Sequence, residues 1–78
     1  MEQKDIIVNI SEVFMDVMKM DAFDENMDMN NIETWDSLSH INLIMELEKK
    51  FNLQFNYHDI VEMNSIRKIL TIIQKYLL

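Results

Sequence analysis

The run Trp35-Asp36-Ser37-Leu38-Ser39-His40-Ile41-Asn42-Leu43-Ile44-Met45-Glu46-Leu47-Glu48-Lys49-Lys50-Phe51 decides how this chain folds. Leu38, Ile41, Ile44, Leu47 and Phe51 recur at spacings of three and four, the period of one buried helical face. Ser37 has the chemistry of a helix N-cap, because its oxygen can accept a hydrogen bond from an orphan amide of the first turn. Asp36 adds a carboxylate near the positive end of the helix dipole. The stretch predicts an amphipathic helix over residues 37–51 that opens on a serine directly after an acidic segment.

Three further helices follow from the same period. The first is expected over residues 4–20, with Ile6, Ile10, Val13, Phe14 and Val17 inward. Residues 21–34 lose the period and read as a long loop, pinned by Phe23, Met27, Met29 and Ile32. A loop of that length in a compact domain is often functional. Phe51, Leu53 and Phe55 alternate, but a single short run has no partner strand, so an extended connector is expected. A short helix fits residues 57–63. Ser65 or Asn64 then caps a last helix with Ile66, Ile69, Leu70, Ile73 and Leu77 buried. The chain has no Gly or Pro, which removes the strongest boundary signals. The expectation is an all-α, four-helix domain spanning 1–78.

Composition narrows the function. With no cysteine, no disulfide can brace so small a core. Stability must come from apolar burial, for which 49% hydrophobic residues is a rich supply. No basic n-region with an apolar run opens the chain, and no stretch reaches about 18 uninterrupted apolar residues. A soluble, cytoplasmic protein is expected. A net charge of −7 argues against nucleic acid, whose phosphates call for lysine and arginine. It favours partners with basic patches. Asp21, Asp24, Glu25, Asp28, Glu33 and Asp36 concentrate acid between residues 21 and 36, without a basic residue among them.

Asp36-Ser37-Leu38, the run Leu43-Ile44-Met45-Glu46-Leu47-Glu48 with Phe51, and the Asn64-Ser65-Ile66 opening of the last helix together resemble the acyl carrier protein family, peptidyl-type carriers included. The likeness runs without a gap from Trp35 to Leu78. A capped amphipathic helix alone occurs in many proteins, so the weight lies in this long match. The resemblance implies an acyl-carrier-like bundle with three longer helices and a short third one. It implies that Ser37 carries 4'-phosphopantetheine, transferred from coenzyme A by a phosphopantetheinyl transferase. Asp36 matches the aspartate that engages that transferase and its magnesium. Leu38 and Met45 match exposed apolar docking positions, and Glu48 an acidic one. Leu38, Asn42 and Met45 fall on one stripe offset from the buried one.

The chain also departs from the family. Trp35 stands where a glycine is common and Asn56 where a proline is common; Trp35 is expected to anchor the loop as it enters the helix. Ser39, Asn42 and Lys49 stand where fatty-acid-synthesis carriers often have acids. These departures lean toward a dedicated carrier in a specialised pathway, handling an aminoacyl, hydroxyacyl or fatty acyl unit. Its expected partners are acyl-loading or adenylating enzymes and acyl-transferring or condensing enzymes, met by a monomer.

Other chemistries fit the residues less well. His40 lies three residues beyond Ser37, but Asp36, Ser37 and His40 sit on one exposed helix start without an oxyanion site. His40 and His58 are expected at the surface. Two histidines and no cysteine give no zinc spacing. Asp24, Asn26, Asp28 and Asn30 mimic a calcium loop, yet Met29 replaces its glycine and Trp35 its final glutamate. An unmodified helical protein-binding module of the same fold is the remaining alternative. The eight methionines could line an adaptable cavity, though ordinary core filling explains them more simply.

Overall fold

The structure, a computed structural model, describes residues 2–78. Four helices follow one another: α1 (Gln3–Met18), α2 (Ser37–Phe51), α3 (Tyr57–Glu62) and α4 (Ile66–Leu77). No strand forms among the described residues, so the domain is all-α. The Cα radius of gyration is 11.3 Å, against about 11.5 Å for a compact chain of this length. No helix among the described residues is long and apolar enough to cross a membrane.

α1 buries Ile6, Ile10, Phe14 and Met18, four residues apart, and packs against both α2 and α4. Val13 and Val17, expected inside, are only half-buried flanks of this line. The helix stops two residues early because Lys19 turns left-handed at φ 60°. The Met20 amide then reaches back to the Met15 carbonyl at 3.0 Å, the bond of a Schellman ending. α2 ends in the same way: Asn52 is left-handed at φ 55°, and the Leu53 amide returns to the Glu48 carbonyl. Glycine usually fills this place. In a chain without glycine, a lysine and an asparagine take it.

The segment from Asp21 to Thr34 is a loop, as expected, and it is tied down. Ile66 N–H donates to the Met27 carbonyl and Met29 N–H to the Asn64 carbonyl, both at 3.0 Å. These bonds pair the loop with the start of α4. Phe23, Met27, Met29 and Ile32 are half-buried against the core. Trp35 is 2% exposed and meets Phe14 edge-on with centroids 5.1 Å apart, which is the anchoring role expected of it.

After α2 the chain runs extended, with Phe55 buried edge-on to Tyr76 at 5.0 Å. Asn56 caps α3 by accepting from the Asp59 amide at 2.8 Å. Ser65 rather than Asn64 caps α4, accepting from the Lys68 amide; such a cap contributes about 1 kcal/mol. α4 buries Ile66, Ile69, Leu70, Ile72 and Ile73, while Leu77 is half-buried.

A polar cluster fastens α3 to α4. Tyr76 donates to the buried Asp59 carboxylate at 2.6 Å, Lys75 approaches it at 3.3 Å, and the Tyr76 oxygen accepts from the Asn56 amide at 3.1 Å. The Tyr76 hydrogen bond, aided by Lys75, holds Asp59 below the ordinary carboxylate range. The same bond holds the Tyr76 phenol above its usual value. A depressed carboxylate contributes stability that is lost as pH falls through its folded value, and a raised phenol loses its contribution as pH rises through its own. Wild type should therefore melt above Tyr76→Phe at neutral pH, with the gap closing below about pH 4. A gap unchanged between neutral pH and pH 3 in circular dichroism melts would contradict this.

Candidate functional site

The loop delivers Ser37 to the first turn of α2, but the cap is built by its neighbours. Asp36 is the N-cap: its carboxylate accepts from the Ser39 amide at 2.9 Å, and the Ser39 hydroxyl accepts from the Asp36 amide at 2.9 Å. This reciprocal pair is a capping box, with serine in the place usually held by Glu or Gln. The Ser39 hydroxyl also donates to the Thr34 carbonyl at 2.6 Å, tying the helix to the loop. The expected capping role of Ser37 is thus corrected. A carboxylate competes well for first-turn amides, because it carries a full charge at the positive dipole end. The hydrogen bond from the Ser39 amide holds the Asp36 carboxyl below the ordinary range.

Ser37 is left as the first helical residue, exposed to solvent. Among the described residues, no hydrogen bond engages its hydroxyl.

Beside it, α2 carries a second apolar stripe. Leu38 is 74% exposed, Ile41 51% and Met45 50%, with Asn42 also outward. Leu38 and Ile41 were both expected in the buried face, and Ile41 was expected to stay there. Helical phase explains the correction. At about 100° per residue, the nine residues from Leu38 to Leu47 turn about half a circle away. The inward line is His40, Ile44, Leu47 and Phe51, with Leu43 beside it; it drifts only about 20° over eleven residues. Glu48 is half-buried, and its carboxylate accepts from the Phe55 amide at 2.9 Å. Its carboxylate is therefore engaged in shaping the turn after α2.

His40 is the largest departure from expectation. It is 8% exposed. The Trp35 indole N–H donates to its Nδ1 at 3.0 Å, and its Nε2 lies 2.9 Å from the Ile60 carbonyl. An indole can only donate and a carbonyl can only accept, so the ring is the neutral tautomer with hydrogen on Nε2. Both nitrogens are occupied, and neither can take a proton from Ser37. His58 is exposed, as expected. The position of His40, four residues before Ile44, was the signal that could have placed it inside.

The acidic loop spends its oxygens locally. Asp24 accepts from the Asn26 amide at 2.7 Å, and Asp28 from the Asn30 and Asn31 amides at 2.8 and 3.0 Å. The Asn26 side chain accepts from Arg67 at 2.8 Å. Among the described residues, no group of three or more His, Cys, Asp or Glu is placed to hold a metal ion. Micromolar calcium should leave the melting temperature unchanged, whereas a specific site would raise it by ligand linkage. A tight, stoichiometric calorimetric isotherm would contradict that expectation.

The arrangement is an exposed hydroxyl at a helix start, an ionised neighbour and an apolar stripe, with both His40 nitrogens engaged by Trp35 and Ile60. No protein-family model matches this chain, and no curated protein matches it.

Proposed function

We propose that this chain is a discrete carrier of the acyl-carrier type, with the acyl-carrier-like bundle as its fold and Ser37 as the attachment point of 4'-phosphopantetheine. The observation that carries the reading is the division of labour at the start of α2. Asp36 and Ser39 form the cap, so Ser37 is exposed and its hydroxyl is uncommitted. A phosphodiester on Ser37 would lie beside first-turn amides at the positive dipole end, which suits its negative charge. When attached, the group supplies a terminal thiol that holds acyl or aminoacyl cargo as a thioester.

The chain's own residues bind and orient. Asp36, held ionised, presents negative charge to the transferase and its magnesium. Leu38, Ile41 and Met45 offer apolar contact to the transferase, to the loading or adenylating enzyme, and to the acyl-transferring or condensing enzyme. Asn42 lies on the same outward side. A flexible tether makes delivery between such partners an intramolecular event at high effective concentration. Lys49 pairs with Glu46 at 3.3 Å, and Lys50 with Glu12 at 3.4 Å. The far end of α2 is therefore charge-balanced rather than acidic, which supports a dedicated partner set in a specialised pathway.

The absence of cysteine makes the test simple. The unmodified chain has no thiol, so treatment with coenzyme A, magnesium and a transferase, followed by desalting, should create one titratable thiol per chain. No thiol after treatment with several active transferases would overturn the reading in favour of an unmodified binding module.

A further inference from the structure

α3 has six residues, too few to hold together alone, yet it contributes a half-exposed apolar residue, Val61 (53%). Its far side is fastened by the Asp59–Tyr76 bond to α4. On its near side, the polar link to α2 is the His40 imidazole, which reaches the Ile60 carbonyl from one turn past Ser37. The same ring accepts the indole N–H of Trp35, two residues before Ser37, with the two rings inclined by 26° and their centroids 6.1 Å apart. One buried side chain thus joins the Trp35 side chain before the serine, the first turns of α2, and α3.

We propose that His40 is a positioning residue that fixes α3 relative to Ser37, so that Val61 completes the docking surface begun by Leu38, Ile41 and Met45. The part concerning docking rests on the proposed carrier function; the fastening of α3 does not. Ile41 and Val61 are the next residues after the two ends of the His40–Ile60 link. Loss of the link therefore frees the α3 side of the surface while leaving the Ser37 hydroxyl and its cap in place. The role needs one acceptor and one donor at imidazole spacing. Glutamine can supply both through its amide, and leucine can supply neither.

The test is native-state hydrogen exchange on the full, unmodified chain, combined with modification kinetics. In His40→Leu, the Ile60 and Met63 amides of the α3 turn and the indole N–H of Trp35, the chain's one tryptophan, should exchange about tenfold faster, as expected for loss of a buried hydrogen bond. The Ile10, Phe14 and Ile69 amides should remain within about twofold. His40→Gln should restore slow exchange. If His40→Leu does not fold, Trp35→Phe and His40→Gln carry the comparison, since the first removes the donor to Nδ1 together with part of a buried ring and the second keeps both bonds. Trp35→Phe should loosen α3 and His40→Gln should not. Acceleration of all these amides together, or of none, would overturn the positioning role. With a transferase, His40→Leu should raise KM for the carrier about tenfold at unchanged kcat, corresponding to lost docking contact. An unchanged KM despite a loosened α3 would overturn the docking role. A wild-type chain that no transferase modifies would strike the carrier reading, while the exchange pattern would still decide what His40 does.

Discussion

Ser37→Ala is expected to abolish addition of phosphopantetheine entirely while leaving the fold intact. The second half of that expectation comes from the capping geometry. Had Ser37 been the N-cap, alanine there would cost about 1 kcal/mol and loosen the first turn. Asp36 and Ser39 make the capping box instead, so the substitution removes one exposed hydroxyl from the first helical position. Surface changes of this kind alter stability by about 0.5 kcal/mol or less. Intact mass after treatment with coenzyme A and a transferase reads the modification, and a thermal melt reads the fold. Modification persisting in Ser37→Ala would move the attachment point elsewhere.

The second large effect separates two neighbours on α2. Ile44 is buried in the core, whereas Met45 is half exposed. Ile44→Glu places a carboxylate in the buried core without a partner. Leaving a charge buried and uncompensated costs about 3–5 kcal/mol, comparable to the whole stability of a domain this small. No disulfide is available to offset it, so the chain should unfold or melt far lower. Met45→Glu should fold and melt like wild type, because its side chain can face water. It should nevertheless slow modification, since a partner's apolar pocket would have to desolvate an unpaired charge. Collapse of Met45→Glu alongside a normal melt for Ile44→Glu would reverse the assignment of faces and remove the proposed docking stripe.

These two neighbours also show what periodicity could and could not reveal. The number, order and type of the helices were legible, because Ile6, Ile10 and Phe14 in α1, Ile44, Leu47 and Phe51 in α2, and Ile66, Ile69 and Ile73 in α4 repeat every three or four residues. The exposure of Ser37 and Met45 was legible too. Ile41 and His40 were misread for one reason. Hydrophobicity favoured isoleucine for the inward place, while phase favoured histidine, and phase won once Trp35 and Ile60 satisfied both ring nitrogens. A buried polar group is tolerated when its hydrogen bonds are met, and those partners come from five and twenty residues away. The capping box was hidden differently. Ser39 imitates the usual Glu or Gln, so Ser37 looked like the better cap. Glu48 was visible as an acid, but its bond to the Phe55 amide depends on a left-handed turn at Asn52 that no glycine announces.

The most direct measurement is the intact mass of the wild-type chain after incubation with coenzyme A, magnesium and a broad-specificity phosphopantetheinyl transferase, with the modified peptide sequenced. The expected result is a single added phosphopantetheine on the peptide that contains Ser37, and none in Ser37→Ala. An unchanged mass across several transferases shown to be active on another carrier, or a modified peptide lacking Ser37, would contradict the proposal that this domain is a carrier tethered through Ser37.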